Sequence, residues 1–156
     1  FNFPVGGGTS GHFIGATLIA ILLGPWASVL IMTTVLFVQC LVFQDGGITT
    51  LAANIFNMGI VGGFVGYYIN AAIQSFVSGR KGIFIGGFTA AWFSLVLSAV
   101  CCAIELGISG TVPAKIAVPA MAGIHAIIGL GEGFITIATL SLLLKVRPDI
   151  LSLQKI

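Results

Sequence analysis

Apolar residues run through this chain in long blocks, separated by short clusters of Gly, Pro, Asp, Ser and basic residues. The first block covers about Gly11 to Gly24 and is short. Gly24-Pro25 then breaks it, because proline disfavours helical geometry in the residue before it and suits the first position of a helix. A second block runs from Pro25 to about Phe43 and stops at the polar turn Gln44-Asp45-Gly46-Gly47. The third, from about Ile48 to Val77, is longer than the roughly 20 residues that a straight helix needs to cross a bilayer. The fourth covers Ile83 to about Ile108, and Ser109-Gly110-Thr111-Val112-Pro113 closes it. The fifth, Ala114 to Val146, is again overlong, with Pro119 and the Gly129/Gly131 pair as places to kink. It reads either as one bent helix or as two pieces.

Blocks of this kind leave no water-facing surface. Of 156 residues, 58% are hydrophobic and 6% charged, and the mean hydropathy is +1.17. A soluble domain carries about 25% charged residues. In lipid, backbone groups can be satisfied only by helices or closed barrels, and the alternating pattern of a barrel is absent. The expected fold class is therefore all-α: a polytopic transmembrane helical bundle of about five segments, forming one domain over residues 1–156. The chain starts at Phe1, with no basic leader or cleavage signature before the first block. It is read as beginning inside a longer natural chain, with the domain incomplete at its N-terminus.

Charge supplies an orientation. Arg80-Lys81 lie between blocks three and four, and Lys145, Arg147 and Lys155 follow block five. Both clusters are expected on the cytoplasmic side, with Lys115 a weak vote against. The Gln44–Gly47 turn and the glycine stretch carrying His12 are then external, so His12 is expected to open a helix at the outer face. Glycine is abundant, at 22 residues. The pairs Gly59/Gly63, Gly62/Gly66 and Gly82/Gly86 are spaced for close helix approach, within the chain or against a partner subunit. Cys40, Cys101 and Cys102 are odd in number and lack CxxC spacing, which points to apolar packing rather than disulfides or a thiolate metal site.

Ionisable groups inside apolar segments are costly and mark function by default. Ser10 or Thr9 is expected to cap a helix starting near Gly11. The positive helix end then disfavours imidazolium at His12, and neutral imidazole is the form that binds transition metals. The plainer alternative is an interfacial histidine bonded to a loop carbonyl. His125 and Glu132 lie seven apart and share a face. They read as a proton relay, a metal pair or, by preference, a hydrogen-bonded strut in a glycine-lined contact. Asn54 and Asn57 sit near the depth of His12, as neighbours of a site or as inter-helix bonds. Glu105 lies within a turn of its block's end and is given no role. No HExxH, GxSxG or Walker A motif occurs, so an enzyme is not expected and any active transport must take its energy elsewhere.

Five blocks in order carry a family likeness. They are Phe3-Pro4 with Gly8-Thr9-Ser10-Gly11-His12; Gly24-Pro25-Trp26; Phe43-Gln44-Asp45-Gly46-Gly47; Asn54-Ile55-Phe56-Asn57-Met58-Gly59; and His125 through Gly131-Glu132 to Ile135-Thr136. Together they resemble the CbiM/NikM family, the substrate-binding S components of energy-coupling-factor importers for cobalt and nickel. The resemblance implies a subunit of a prokaryotic plasma membrane that captures Co²⁺ or Ni²⁺ as transported ligand, without a resident cofactor. It implies a transmembrane coupling subunit, two cytoplasmic ATP-binding subunits and room for a small accessory membrane subunit as partners, and no nucleic acid. Family ligands are the free amino terminus, a histidine beside it and a histidine of the glycine-rich stretch. The last matches His12. The Met-His start and the first part of the membrane domain are missing before Phe1, so His12 alone carries over as a ligand. Thr9, Ser10, Asn54, Asn57, His125 and Glu132 remain supporting or structural candidates. The alternative is a proton-coupled carrier or channel built on His125 and Glu132, without ATPases.

Overall fold

The computed structural model describes residues 2–5, 9–147 and 149. Residues 6–8 of the glycine stretch and Lys155 of the basic cluster lie outside the described residues. An antiparallel hairpin, β1 (Asn2–Val5) and β2 (Thr9–His12), leads into the short helix α1 (Ala16–Leu23) and then α2 (Pro25–Val42). A third rod runs from Ile48 to Phe76. It begins with a 3-10 turn (Ile48–Thr50) and one α turn, α3 (Leu51–Asn54), passes through a π-helical stretch (Ile55–Val65), and ends as α4 (Gly66–Phe76). Helices α5 (Gly79–Ile108) and α6 (Ala114–Val146) complete the bundle.

Among the described residues, four rods are long and apolar enough to cross a membrane: Pro25–Val42, Ile48–Phe76, Gly79–Ile108 and Ala114–Val146. The eight residues of α1 rise only about 12 Å, so the first apolar block enters the bundle without crossing it. Gly24 turns the chain there at φ 89°, a left-handed value that favours glycine, and Pro25 starts α2 with its fixed φ. The fifth block is a single helix. Pro119 lies inside its second turn, where its missing N–H forfeits one bond. Helix α5 begins at Gly79 rather than Ile83, so Arg80 and Lys81 occupy its first turn.

The outside of the bundle is apolar and much of its inside is small or polar. Leu30, Phe37, Leu41, Phe76, Ile127, Phe134 and Leu142 are exposed, while Ala90, Ala91, Ala99, Ala103 and Ala117 form the packed interior. Between lipid-like surroundings and an apolar core there is little hydrophobic driving force, so close packing and hydrogen bonds hold the helices. Helices α5 and α6 run antiparallel, with Gly107 against Ala114 at one end and Gly87 against Leu140 at the other. Midway, the Trp92 indole N–H donates to the Ala126 carbonyl at 2.9 Å. Ser28 Oγ donates to the Ala16 carbonyl at 2.8 Å, and Thr17 Oγ1 lies 2.6 Å from Ser94 Oγ.

The glycine pairs are spent on these contacts. Gly63 backs onto Ser28 of α2, Gly62 onto Ala16 and Ser98, Gly66 onto Thr17, and Gly86 onto Asn70. Gly59, Gly63, Gly82 and Gly86 are buried within the chain, which removes them as a docking face for another subunit. A methyl group at Gly66 would overlap the Thr17 side chain, whose hydroxyl also donates to the Gly62 carbonyl at 3.2 Å. Gly66→Ala is therefore expected to cost about 1–3 kcal/mol through overpacking. Gly123→Ala, which meets open space, is expected to hold or raise stability, since alanine is the better helix former by about 1 kcal/mol. Thermal melting in detergent compares them; equal shifts would contradict the packing assigned to Gly66.

Candidate metal-capture chamber

The strand β2 pairs residue for residue with β1, Asn2 facing His12 and Val5 facing Thr9. Residues 9–12 are therefore extended, and the helix starts at Ala16, later than the sequence suggested near Gly11. The expected caps, Thr9 and Ser10, are strand residues. Gly15 stands at the N-cap with φ 72°, a backbone turn that suits glycine.

The cap comes instead from α6. The backbone N–H of Gly15 donates to Glu132 Oε1 at 2.6 Å, and that of Ile14 to Oε2 at 3.2 Å. Glu132 is buried. A carboxylate at a helix N-terminus is favoured by the free N–H groups and the positive end of the dipole, and these replace the water it has lost. Glu132 thereby pins the segment that follows His12 to the longest helix of the bundle.

His12 lies at the end of β2 with Nδ1 3.7 Å from Asp45 Oδ2, an ion-pair distance if the ring is charged. Burial pushes the His12 pKa below its ordinary value, with Asp45 pulling the other way. A neutral imidazole is the resulting form. His12 is not at the mouth of a surface helix, because the adjacent Gly11 packs on His125, eleven residues into α6 and about 17 Å along its axis. Extended backbone at such depth is tolerated only where protein buries it or a wet cavity borders it. Here protein buries Gly11, and His12 borders a cavity.

His125 is buried, and its Nδ1 lies 2.8 Å from the Met121 carbonyl oxygen. The carbonyl can only accept, so Nδ1 carries the proton and Nε2 presents a lone pair. A methyl group on Gly11 would lie 3.4 Å from that Nε2. No hydrogen bond joins His125 to Glu132 among the described residues. The shared face expected for the pair does two separate jobs, Glu132 bonding the start of α1 and His125 keeping its bond within α6. Gly129 and Gly131 do sit in tight contacts, against Trp92 and Phe13.

Asn57, on the π-helical stretch, is 3% exposed; its Nδ2 donates to Glu105 Oε2 at 2.7 Å, and its Oδ1 has no protein partner. Asn54 stands beside Gly46 at the polar turn. These groups border one cavity of about 300 Å³, reached by His12, Asp45, Asn54, Asn57, Cys102 and His125. One lining residue, Asp45, and one residue bonded to the lining, Glu105, escaped the sequence reading. Asp45 looked like a turn residue, and Glu105 like a helix-end acid without a role. The chain has only four acidic residues, and that scarcity was the available signal. Among the described residues, no three His, Cys, Asp or Glu side chains converge to enclose a metal ion.

The fold and this chamber define a multi-pass helical membrane protein that presents a neutral imidazole and a carboxylate to one cavity at one end. Residues 1–150 match the family described as the cobalt uptake substrate-specific transmembrane region, and the chain belongs to that CbiM family. It is 46% identical over 152 residues to an Archaeoglobus fulgidus protein named as a fused nickel transport protein NikMN, covering 96% of this chain and 50% of that one. To the cobalt transport protein CbiM of Sorangium cellulosum it is 36% identical over 147 residues, covering 92% and 65%. A crystal structure of a transition metal transporter superposes with a TM-score of 0.86 at 34% identity, covering 99% of this chain and 74% of that chain. The chain thus spans half the length of the first of these relatives. It is a multi-pass membrane protein of a prokaryote.

Proposed function

We propose that this chain forms the membrane core of a substrate-binding component that captures Co²⁺ or Ni²⁺ at the outer face, for an ATP-driven importer of the energy-coupling-factor type. The observation that carries the reading is His12, a half-buried neutral imidazole beside Asp45 at the cavity, in a chain whose relatives are named for cobalt and nickel transport. Nitrogen donors suit both ions. His12 and Asp45 alone do not enclose an ion, so further ligands are needed to complete the set. Thr9 and Ser10 act by forming the strand that carries His12, Asn54 and Asn57 by shaping the cavity, and Glu132 by fixing the turn after β2.

A bound ion shifts a conformational equilibrium only by its differential affinity for the two states, so binding alone cannot drive accumulation. The chain contains no nucleotide-binding motif, and its proposed partners are a transmembrane coupling subunit, two cytoplasmic ATP-binding subunits and a small accessory membrane subunit. The carrier alternative needs a continuous relay through His125 and Glu132, and the separate bonds of those residues give it no support. The test is uptake of radioactive Co²⁺ or Ni²⁺ into vesicles holding the full-length protein, with and without the ATPase module. Concentrative uptake is expected only with the module and ATP. Equal uptake driven by a proton gradient without the module would reject the proposal in favour of a carrier.

A further inference from the structure

We propose that the chamber holds a second cation station beside His12, where His125 Nε2 and Asn57 Oδ1 take a partly hydrated divalent cation; this rests on the metal-capture function proposed above. The amide of Asn57 is fixed by its neighbour. A carboxylate can only accept, so Nδ2 must face Glu105 at 2.7 Å, and Oδ1 is directed elsewhere. That oxygen is buried with no protein partner, an arrangement that native structures rarely tolerate without a ligand, ion or water. The bond to Glu105 also polarises the amide, which makes Oδ1 a better donor to a cation.

His125 supplies the second lone pair from the facing helix. Its proton is committed to the Met121 carbonyl at 2.8 Å, and a backbone carbonyl on the far ring nitrogen is the usual device that orients a metal-binding imidazole. Met58, Met121 and Cys102, each with a sulfur in its side chain, line the same space. Residues carrying nitrogen, oxygen and sulfur donors therefore line a cavity of about 300 Å³, with Asn57 Oδ1 buried in its wall. At about 30 Å³ per water this is room for about ten, enough for an ion with part of its shell. No cage of three strong ligands is present among the described residues, so the ion keeps water and is held weakly. Passage requires such a site: favourable enough to enter, weak enough to leave.

The experiment titrates Co²⁺ alone into the full-length protein, following heat and the paramagnetic broadening of ¹⁵N-labelled histidine rings. The wild type is expected to bind one tight equivalent and one weaker one that broadens the His125 ring. His12→Ala removes the tight equivalent and leaves the weak one. His125→Ala does the reverse, weakening the second equivalent at least tenfold with the first unchanged. Asn57→Asp adds a carboxylate and tightens the weak equivalent, a gain that a damaged fold does not produce. A wild type without a weak equivalent, as when upstream chain fills the chamber, overturns the proposal, as does weak binding indifferent to both His125→Ala and Asn57→Asp. Loss of the tight equivalent's dependence on His12 would instead overturn the capture site and leave the station standing.

Discussion

Replacing His12 with alanine in the full-length protein is expected to abolish tight Co²⁺ or Ni²⁺ binding while the bundle still folds. The strand that carries His12 is held by backbone pairing with β1 and by the Glu132 bonds to Ile14 and Gly15, none of which uses the imidazole. The affinity loss should exceed about 100-fold, because removal of a ligand costs more than the 10–100-fold typical of its orienting partners. Proton competition gives a second handle. Burial lowers the His12 pKa, so the ring stays neutral at pH values where an ordinary histidine, near 6.5, is half charged. Affinity should therefore be flat around neutrality and fall only as pH drops below 6.5, through the lowered pKa. The same group binds protons more readily unfolded than folded, so its contribution to stability is present above the ordinary pKa and is lost on acidification. Isothermal titration across a pH series measures both, and unchanged affinity in the alanine variant would sink the assignment of His12.

The second large effect is expected at Glu132. Its carboxylate is the acceptor for two backbone N–H groups that neither α1 nor the strand can satisfy. Glu132→Ala leaves both without a partner inside the membrane, at about 1–3 kcal/mol for each. Glu132→Gln keeps one carbonyl acceptor and should lose about half as much. Thermal melting gives the stability, and limited proteolysis reports release of the hairpin. Metal affinity should fall in the order wild type, Gln, Ala, because the turn after His12 is no longer pinned. An alanine variant that melts like the wild type would show that the cap is dispensable.

These effects separate what could be read in the sequence from what could not. The boundaries at Pro25 and Ile108 were legible, because apolar blocks ending in Gly, Pro and polar turns report directly where lipid stops. The packing role of Gly63 and Gly66 was legible in spacing, and of the two alternatives the partner is the chain's own α2 and α1. The hairpin was not. Thr-Ser-Gly-His shows no alternation of apolar and polar positions, and its extended form comes from pairing with β1 and from packing on α6. The cap of α1 was hidden for a related reason: local rules looked to Ser10 and Thr9, while the acceptor is more than a hundred residues away. The π-helical stretch also resisted, since a 3.6-residue period does not describe which way Asn57 points. Asp45 and Glu105 gain their meaning only from His12 and Asn57 beside them.

The antiparallel pair α5 and α6 has a consequence for the bilayer. With 30 and 33 residues these helices measure about 45 and 50 Å, against about 40–45 Å for a whole membrane with its headgroups. Arg80, Lys81, Lys145 and Arg147 gather at one end of the pair and Lys115 stands at the other, like two collars. Basic side chains at both interfaces resist vertical slippage, so a thinner membrane is met by tilting the pair. Glu132 fastens the segment after His12 to the leaning helix itself. Membrane thickness is in this way coupled to the attitude of the imidazole, and lipid chain length becomes a setting on the shape of the cavity it borders.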